Sequence, residues 1–400
     1  MKIAPRGFSS FASMPRREFL WSAARLLGAA AVAGAVPAVW PARAAAQDVP
    51  GKEKLIVRSL RYIDLETPVR LFDSWITPVE LFYVRNHLAL PAVNLDAWRL
   101  SVTGAVEKPL DLTFADVQKI EPASVTNTME CAGNGRSFYH PRVPGIQWSR
   151  GAVGNAVFSG PRLAGLLRRA GVKASGKHVA FKGLDDPPGR VPEFIRSIPI
   201  EKAMDPDTLL ATQMNGAPLK TYHGFPVRVA VPGWLGAASV KWLTEIRVIE
   251  KEFEGNFMNP GYRFPKHAVP PGGEISPDDT ATIMGLPVKS VIARPADGAS
   301  LKVGPVRVTG AAWAGENEIT RVEISTDEGK TWQPATLGRD KAKYAWRLWE
   351  YAWKPQAPGA WTVMSRATDS AGRVQPTEPS WNPSGYLWNV VDKVRIHVEA

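Results

Sequence analysis

The chain's only thiol, Cys131, sits in a window built of small and polar residues: Thr126-Asn127-Thr128-Met129-Glu130-Cys131-Ala132-Gly133-Asn134-Gly135-Arg136-Ser137. Small neighbours such as Ala132 and Gly133 leave room for a bulky group to approach the sulfur. A guanidinium five residues on, at Arg136, would favour the thiolate and hold an anion. A lone cysteine is by itself more often an inert buried side chain, so the weight falls on three further segments. Phe82-Tyr83-Val84-Arg85-Asn86-His87 places Arg85 and His87 two apart, on one face of an extended strand. His223-Gly224-Phe225-Pro226-Val227-Arg228 repeats the pairing of imidazole and guanidinium. Gly236-Ala237-Ala238-Ser239-Val240-Lys241-Trp242 adds backbone donors, a hydroxyl and an ammonium. Together these groups suit an anionic, phosphate-bearing ligand close to a thiol, although no Walker loop or dinucleotide fingerprint is present.

The elements that must position these groups belong to a chain of 400 residues, 44% hydrophobic and 22% charged, which is ordinary globular composition with length for two domains. The 34 Gly and 35 Pro favour turns and short strands over long helices. One cysteine excludes an intramolecular disulfide. Of the formal charge of +11, residues 1–46 contribute six basic side chains against Glu18 alone. The remaining excess is modest. With no zinc-finger spacing, basic helix or RNA-binding aromatic motif, it suits anionic substrates or steering of a charged partner, not nucleic acid.

The N-terminus reads as an address. Pro15-Arg16-Arg17-Glu18-Phe19-Leu20 precedes an Ala-rich apolar stretch and Pro41-Ala42-Arg43-Ala44-Ala45-Ala46, the order of a cleavable export signal. The adjacent arginines resemble a twin-arginine signal, which implies export of the already folded protein to the periplasm and no membrane span once residues 1–46 are removed. Residues 47–287 have a mixed α+β pattern. Trp98–Gly104, Val227–Val231 and Ile246–Val248 alternate as strands; Thr113 can cap a short helix; Pro161 opens a helix whose Leu163, Leu166 and Leu167 share a face until Gly171. Lys266–Asp279 reads as a loop. From 288 to 400 short alternating strands separated by polar turns describe an immunoglobulin-like all-β sandwich, with eight of the fifteen Trp serving as core and interface.

Taken with Ser239-Val240-Lys241-Trp242-Leu243, the cysteine window, the Tyr83–His87 segment and the His223–Arg228 segment resemble, in their order, the sulfite oxidase family of molybdenum-cofactor enzymes. The resemblance runs from about Arg85 to Trp388-Asn389-Val390-Val391. It implies a catalytic domain followed by a dimerisation sandwich, and one molybdopterin per chain whose molybdenum takes Cys131 as its only protein ligand. The implied cofactor-binding positions are Tyr83, Val84, Arg85, Asn86, His87, Cys131, Asp185, His223, Arg228, Ser239, Val240 and Lys241. The implied catalytic positions are Arg85, Cys131, Arg136, Trp148 and Tyr262, acting in oxidation of sulfite to sulfate.

One departure stands out. Vertebrate members carry a further pocket arginine where this chain has Ser384, and Arg373 or Lys393 are candidates to replace its charge. The 400 residues contain no Cys-x-x-Cys-His haem site, and no haem domain is expected in this chain, so the electrons are expected to pass singly to a c-type cytochrome. Two other readings remain open at this point: sulfoxide or nitrate reduction on the same scaffold, and a non-catalytic periplasmic binding module using the Trp-rich sandwich.

Overall fold

Two small β-sheet systems carry the cysteine half of the molecule, and both are built from the alternating segments of the sequence. The structure, a computed structural model, describes residues 49–400; the export signal lies outside the described residues. A five-stranded sheet has the order Leu110–Leu112, Leu100–Gly104, Leu243–Ile249, His178–Gly183, Ile195–Pro199. Its only parallel pair joins Leu100–Gly104 to Leu243–Ile249. Leu100, Val102, Ile246 and Val248 are buried at alternate positions, as the two-residue period of a strand requires. Gly104 ends its strand with φ 86°; a Cβ there would stand 2.1 Å from the Val248 carbonyl oxygen, so this position takes only glycine.

A four-stranded sheet places the nine-residue strand Pro122–Glu130 beside Val153–Pro161, and Cys131 follows its last residue. The ladder continues past the strand: the Cys131 N–H donates to the Ala152 carbonyl at 2.9 Å. Helices are few among the described residues, with 5, 8 and 4 residues in Phe114–Gln118, Leu163–Ala170 and Ile200–Ala203. The protein is therefore mostly β, with less helix than the α+β expectation. Thr113 caps its helix through a capping box with Asp116. Pro161 does not open the next helix. It closes a strand, Arg162 is the N-cap, and Gly171 ends the helix with φ 69° as expected. The Val227–Val231 alternation shortens to a strand Arg228–Ala230 that is buried on both faces, because Arg228 turns inward as fully as its valine neighbours.

From Lys289 onward two sheets face each other. One has the order Lys289–Arg294, Val306–Trp313, Arg347–Trp353, Thr336–Leu337; the other has Ala299–Lys302, Asp392–Glu399, Gly359–Asp369, Ile319–Ser325, Gln333–Pro334. Val308, Val322, Trp349, Val363, Ala367 and Ile396 meet in one core between them. Residues from both halves, including Trp234, Leu286, Trp313 and Trp346, share a single larger core. Trp346 and Trp75 donate their indole N–H groups to each other's carbonyls at 2.8 and 3.1 Å, which ties the halves together with both indoles satisfied. No helix among the described residues is long and apolar enough to cross a membrane.

Candidate active site

Cys131 lies where two cavities meet. One is a narrow cleft that reaches inward past Arg228 and Lys241. The other opens outward past Arg61, Arg136 and Ser384. Arg85, His87, Cys131 and Tyr262 line both.

The inner cleft collects the expected cofactor residues from four separate segments. Tyr83, Arg85, Asn86 and His87 come from an extended segment bridged to Leu65 at Val84; His223 and Arg228 flank Gly224, which has φ 102°; Ser239 and Lys241 close the far side. Asp185 also lines it and is buried, whereas Asp186 is exposed. Val84 and Val240 do not line the cleft. Val84 belongs to a small core with Leu65, and Val240 packs in the main core while its carbonyl accepts from Val229.

Buried positive charge dominates this cleft. Arg228 is 4% exposed and donates only to neutral acceptors: the carbonyls of His223 at 3.0 Å, Ser239 at 2.9 Å and Val229 at 3.4 Å, and the Met129 sulfur at 3.2 Å. Burial pushes its pKa down to about 10. Lys241 donates to Asn86 Oδ1 and to the Tyr222 carbonyl at 3.1 Å; burial, and then Arg228, hold its pKa well below the usual lysine value. Among the described residues, neither has a carboxylate within ion-pair distance. Burial raises Asp185 to about 6 against the pull of Lys241. Burying cations without counter-ions is costly, and a phosphate-bearing anion in the cleft would relieve that cost. A Cβ on Gly236 would stand 2.8 Å from the Tyr83 hydroxyl, so glycine keeps the floor of the cleft open. These residues fit a phosphorylated pterin, and a thiolate at Cys131 fits a soft redox metal.

The outer cavity is lined by three guanidinium groups. Arg85 is paired with Asp64 at 3.1 Å. Burial opposes its charge, yet Asp64, Tyr262 and Cys131 more than compensate and raise its pKa. Arg136 donates to the carbonyls of Ser384 at 2.9 Å and Ile146 at 3.1 Å and lies over the Tyr386 ring. Its guanidinium stands 2.6–2.7 Å from where Cβ atoms on Gly133 and Gly145 would be. Gly133 is therefore small to admit Arg136 rather than to clear the sulfur for a bulky group, which corrects the expectation drawn from the cysteine window. Arg61 supplies the third guanidinium. Arg373 and Lys393 do not reach the site: Arg373 pairs with Asp369, and Lys393 lines a different cavity. The segment around Ser384 still serves the pocket, through its backbone.

Tyr262 has φ 56°, a conformation uncommon outside glycine, and its ring stacks on Tyr386 at 5.3 Å with the Arg196 guanidinium on it at 4.8 Å. Its hydroxyl is 2.6 Å from His87 Nε2. Burial, and then Arg85 and Lys241, keep His87 neutral well below its usual pKa. Burial likewise raises the Cys131 thiol against the pull of Arg85 and Arg136. Trp148 is not brought to the wall of either cavity. It is fully buried, stands edge-on behind Tyr83, and its Nε1 finds no partner.

Several residues escape sequence reasoning because they arrive from distant segments. Lys52 is buried, donates to the Phe82 carbonyl at 2.8 Å and stands 2.9 Å from His223 Nε2; burial lowers its pKa to about 7. Asp64, Arg61, Phe194, Arg196 and Tyr386 are equally silent in the sequence.

Residues 87–257 match the family described as oxidoreductase molybdopterin binding domain, and residues 280–399 the one described as Mo-co oxidoreductase dimerisation domain. The chain is 37% identical over 361 residues to a mitochondrial sulfite oxidase of Rattus norvegicus, covering 86% of this chain and 66% of that protein. It therefore spans just under two thirds of that relative's length. A sulfite oxidase of Arabidopsis thaliana is 35% identical, with 85% of this chain and 93% of that protein covered. The crystal structure of the sulfane dehydrogenase SoxCD from Paracoccus pantotrophus superposes with a TM-score of 0.74 at 28% identity, covering 93% of this chain and 97% of that one.

The uncompensated cleft has a testable signature. Lys241→Met should raise the stability of the cofactor-free protein by about 1–3 kcal/mol in urea unfolding, because a buried charge is replaced by an apolar side chain of similar size. The same variant should retain less pterin phosphate after purification. A variant that loses stability and keeps its full phosphate content contradicts the assignment.

Proposed function

The chain belongs to the sulfite oxidase family of molybdenum-cofactor enzymes, and from that membership we propose that it oxidises sulfite to sulfate and hands the two electrons singly to a c-type cytochrome. The observation that carries this reading is the position of Cys131, between a cleft lined with unpaired buried cations and a pocket lined by Arg61, Arg85 and Arg136. Bound in the cleft, the molybdenum cofactor supplies the oxygen transferred and accepts the two electrons.

The protein's own residues supply the rest. Tyr83, His223, Arg228, Ser239 and Lys241 hold the phosphorylated pterin, and Cys131 presents its sulfur to the metal. Arg85, Arg136 and Arg61 draw in a sulfite dianion and offset the repulsion between it and an electron-rich oxygen. Asp64 fixes the Arg85 guanidinium so that its reorganisation cost is met on folding. Neutral His87 and the Tyr262 hydroxyl form a hydrogen-bonded pair at the junction, where a proton can be held or passed without placing another cation there. Arg196, behind Tyr262, holds the ring in place.

In this reading residues 1–46 direct folded export to the periplasm, residues 47–287 form the catalytic domain, and residues 288–400 form an immunoglobulin-like sandwich through which two chains pair. A second reading keeps the site and changes the substrate. The match to a sulfane dehydrogenase over nearly its whole length favours sulfane sulfur as the alternative reductant.

Steady-state reduction of cytochrome c with sulfite, run beside a sulfane substrate, separates the two; turnover with the sulfane substrate alone overturns the sulfite reading. Cys131→Ser should abolish turnover and lower molybdenum per chain in the same preparation. Arg61→Gln should raise KM for sulfite several-fold and leave kcat nearly unchanged, since Arg61 steers the anion at the cavity mouth. Arg85→Gln should cost about 2–5 kcal/mol in kcat/KM, the range for truncating one partner of a hydrogen-bonded charge pair. An Arg85→Gln enzyme with ordinary kinetics removes Arg85 from the site.

A further inference from the structure

We propose that the C-terminal sandwich of the chain is a positioning device for the metal-ligating cysteine, acting through a buried cluster of Lys289 and Trp313 on Glu130. Glu130 is the residue before Cys131 and is 3% exposed; Lys289 is 2% exposed. Lys289 opens the strand Lys289–Arg294, Trp313 closes the strand Val306–Trp313, and the two are directly opposite in the antiparallel ladder. Directly opposite residues share a face, so the sheet presents ammonium and indole together. Lys289 Nζ donates to Glu130 Oε1 at 2.8 Å, and Trp313 Nε1 donates to Glu130 Oε2 at 2.8 Å.

The same carboxylate closes the cysteine turn. Asn134 Nδ2 donates to Glu130 Oε1 at 2.8 Å, and the Asn134 N–H donates to the Cys131 carbonyl at 2.9 Å. Asn134 Oδ1 accepts from the Ala152 N–H at 3.0 Å. Cys131 is thus bracketed by two side chains that are locked to one another, and the lock is held by residues more than 150 positions away. Two more contacts come from the far end of the chain. The Leu387 N–H donates to the Ala132 carbonyl at 2.9 Å, and the Ser384 carbonyl accepts from Arg136.

A charge pair is an expensive way to join two apolar surfaces, because both ions must be dehydrated. Its advantage is direction: with three donors on the two carboxylate oxygens, Glu130 has one orientation, and the backbone that carries Cys131 inherits it. Lys289 and Trp313 are positioning residues, since neither lines the inner cleft or the outer cavity. The metal enters only in the consequence. The local order of the turn is testable without it, so failure here leaves the sulfite reading standing and failure there leaves this one.

The single cysteine makes thiol labelling unambiguous. The full chain, purified from a host that makes no pterin cofactor, is treated with 5,5′-dithiobis(2-nitrobenzoate), and the labelling rate is followed. Lys289→Met should accelerate labelling by roughly 10-fold or more, as an unpaired buried carboxylate promotes local opening of the turn. Glu130→Gln combined with Lys289→Met should bring the rate back toward wild type. Trp313→Phe, which keeps the ring and removes one donor, should give a smaller acceleration and carries the test if Lys289→Met does not fold. Lys202→Met breaks another contact between the halves, the 2.5 Å pair with Glu316; it should lower Tm and leave the rate unchanged. Labelling at the wild-type rate in both Lys289→Met and Trp313→Phe, or equal acceleration in Lys202→Met, overturns the proposal.

Discussion

Buried positive charge with no carboxylate at ion-pair distance is the constraint around which the inner cleft is arranged. Arg228 and Lys241 are held in the interior against neutral carbonyls, a sulfur atom and an amide oxygen. Desolvation outweighs what Asp185 returns to Lys241 and what Tyr83 returns to Arg228, so the surrounding framework must hold both cations there. The five-stranded sheet, the long strand leading to Cys131 and the shared core between the halves supply that framework. A site already organised around missing negative charge gains affinity when an anion arrives, because the cost was met on folding.

Charge is treated differently on the two sides of Cys131. Inside, cations are left unpaired for a resident anion. Outside, Arg85 is pinned by Asp64, Arg136 is threaded between glycines onto carbonyls, and Arg61 remains at the mouth. The outer arrangement is graded from paired and half-buried to exposed, which suits a small anion that must enter and leave. The sulfur stands at the boundary, with His87 and Tyr262 beside it.

Motifs local in sequence were readable as such. Tyr83 through His87, Cys131 with Arg136, His223 with Arg228, and Lys241 all reach one site, because a short segment that carries several polar groups at strand or turn spacing delivers them together. Partners drawn from far away were not readable. Asp64, Lys52, Tyr386, Lys289 and Trp313 have no local signature, since tertiary packing alone brings them in. Some expectations failed for a more specific reason. Gly133 reads as clearance for the sulfur, yet the atom it clears belongs to Arg136. Val84 and Val240 sit between site residues in sequence, but their side chains turn away from the cleft into core. Both helices expected in residues 47–287 are present, but the strands around them far outnumber them, so the described residues are mostly β. The alternation after residue 288 was clear, as each sheet there has one buried face.

The central claim is that Cys131 is the protein's one bond to a molybdenum centre seated in the basic cleft. X-ray absorption at the molybdenum edge of enzyme exported by its native host, compared with Cys131→Ser, tests it most directly. The expected result is about one metal per chain with three sulfur neighbours, two from the pterin and one from the protein, falling to two sulfurs in any metal the variant retains. Metal-free enzyme, or an unchanged sulfur shell in the variant, would contradict the account.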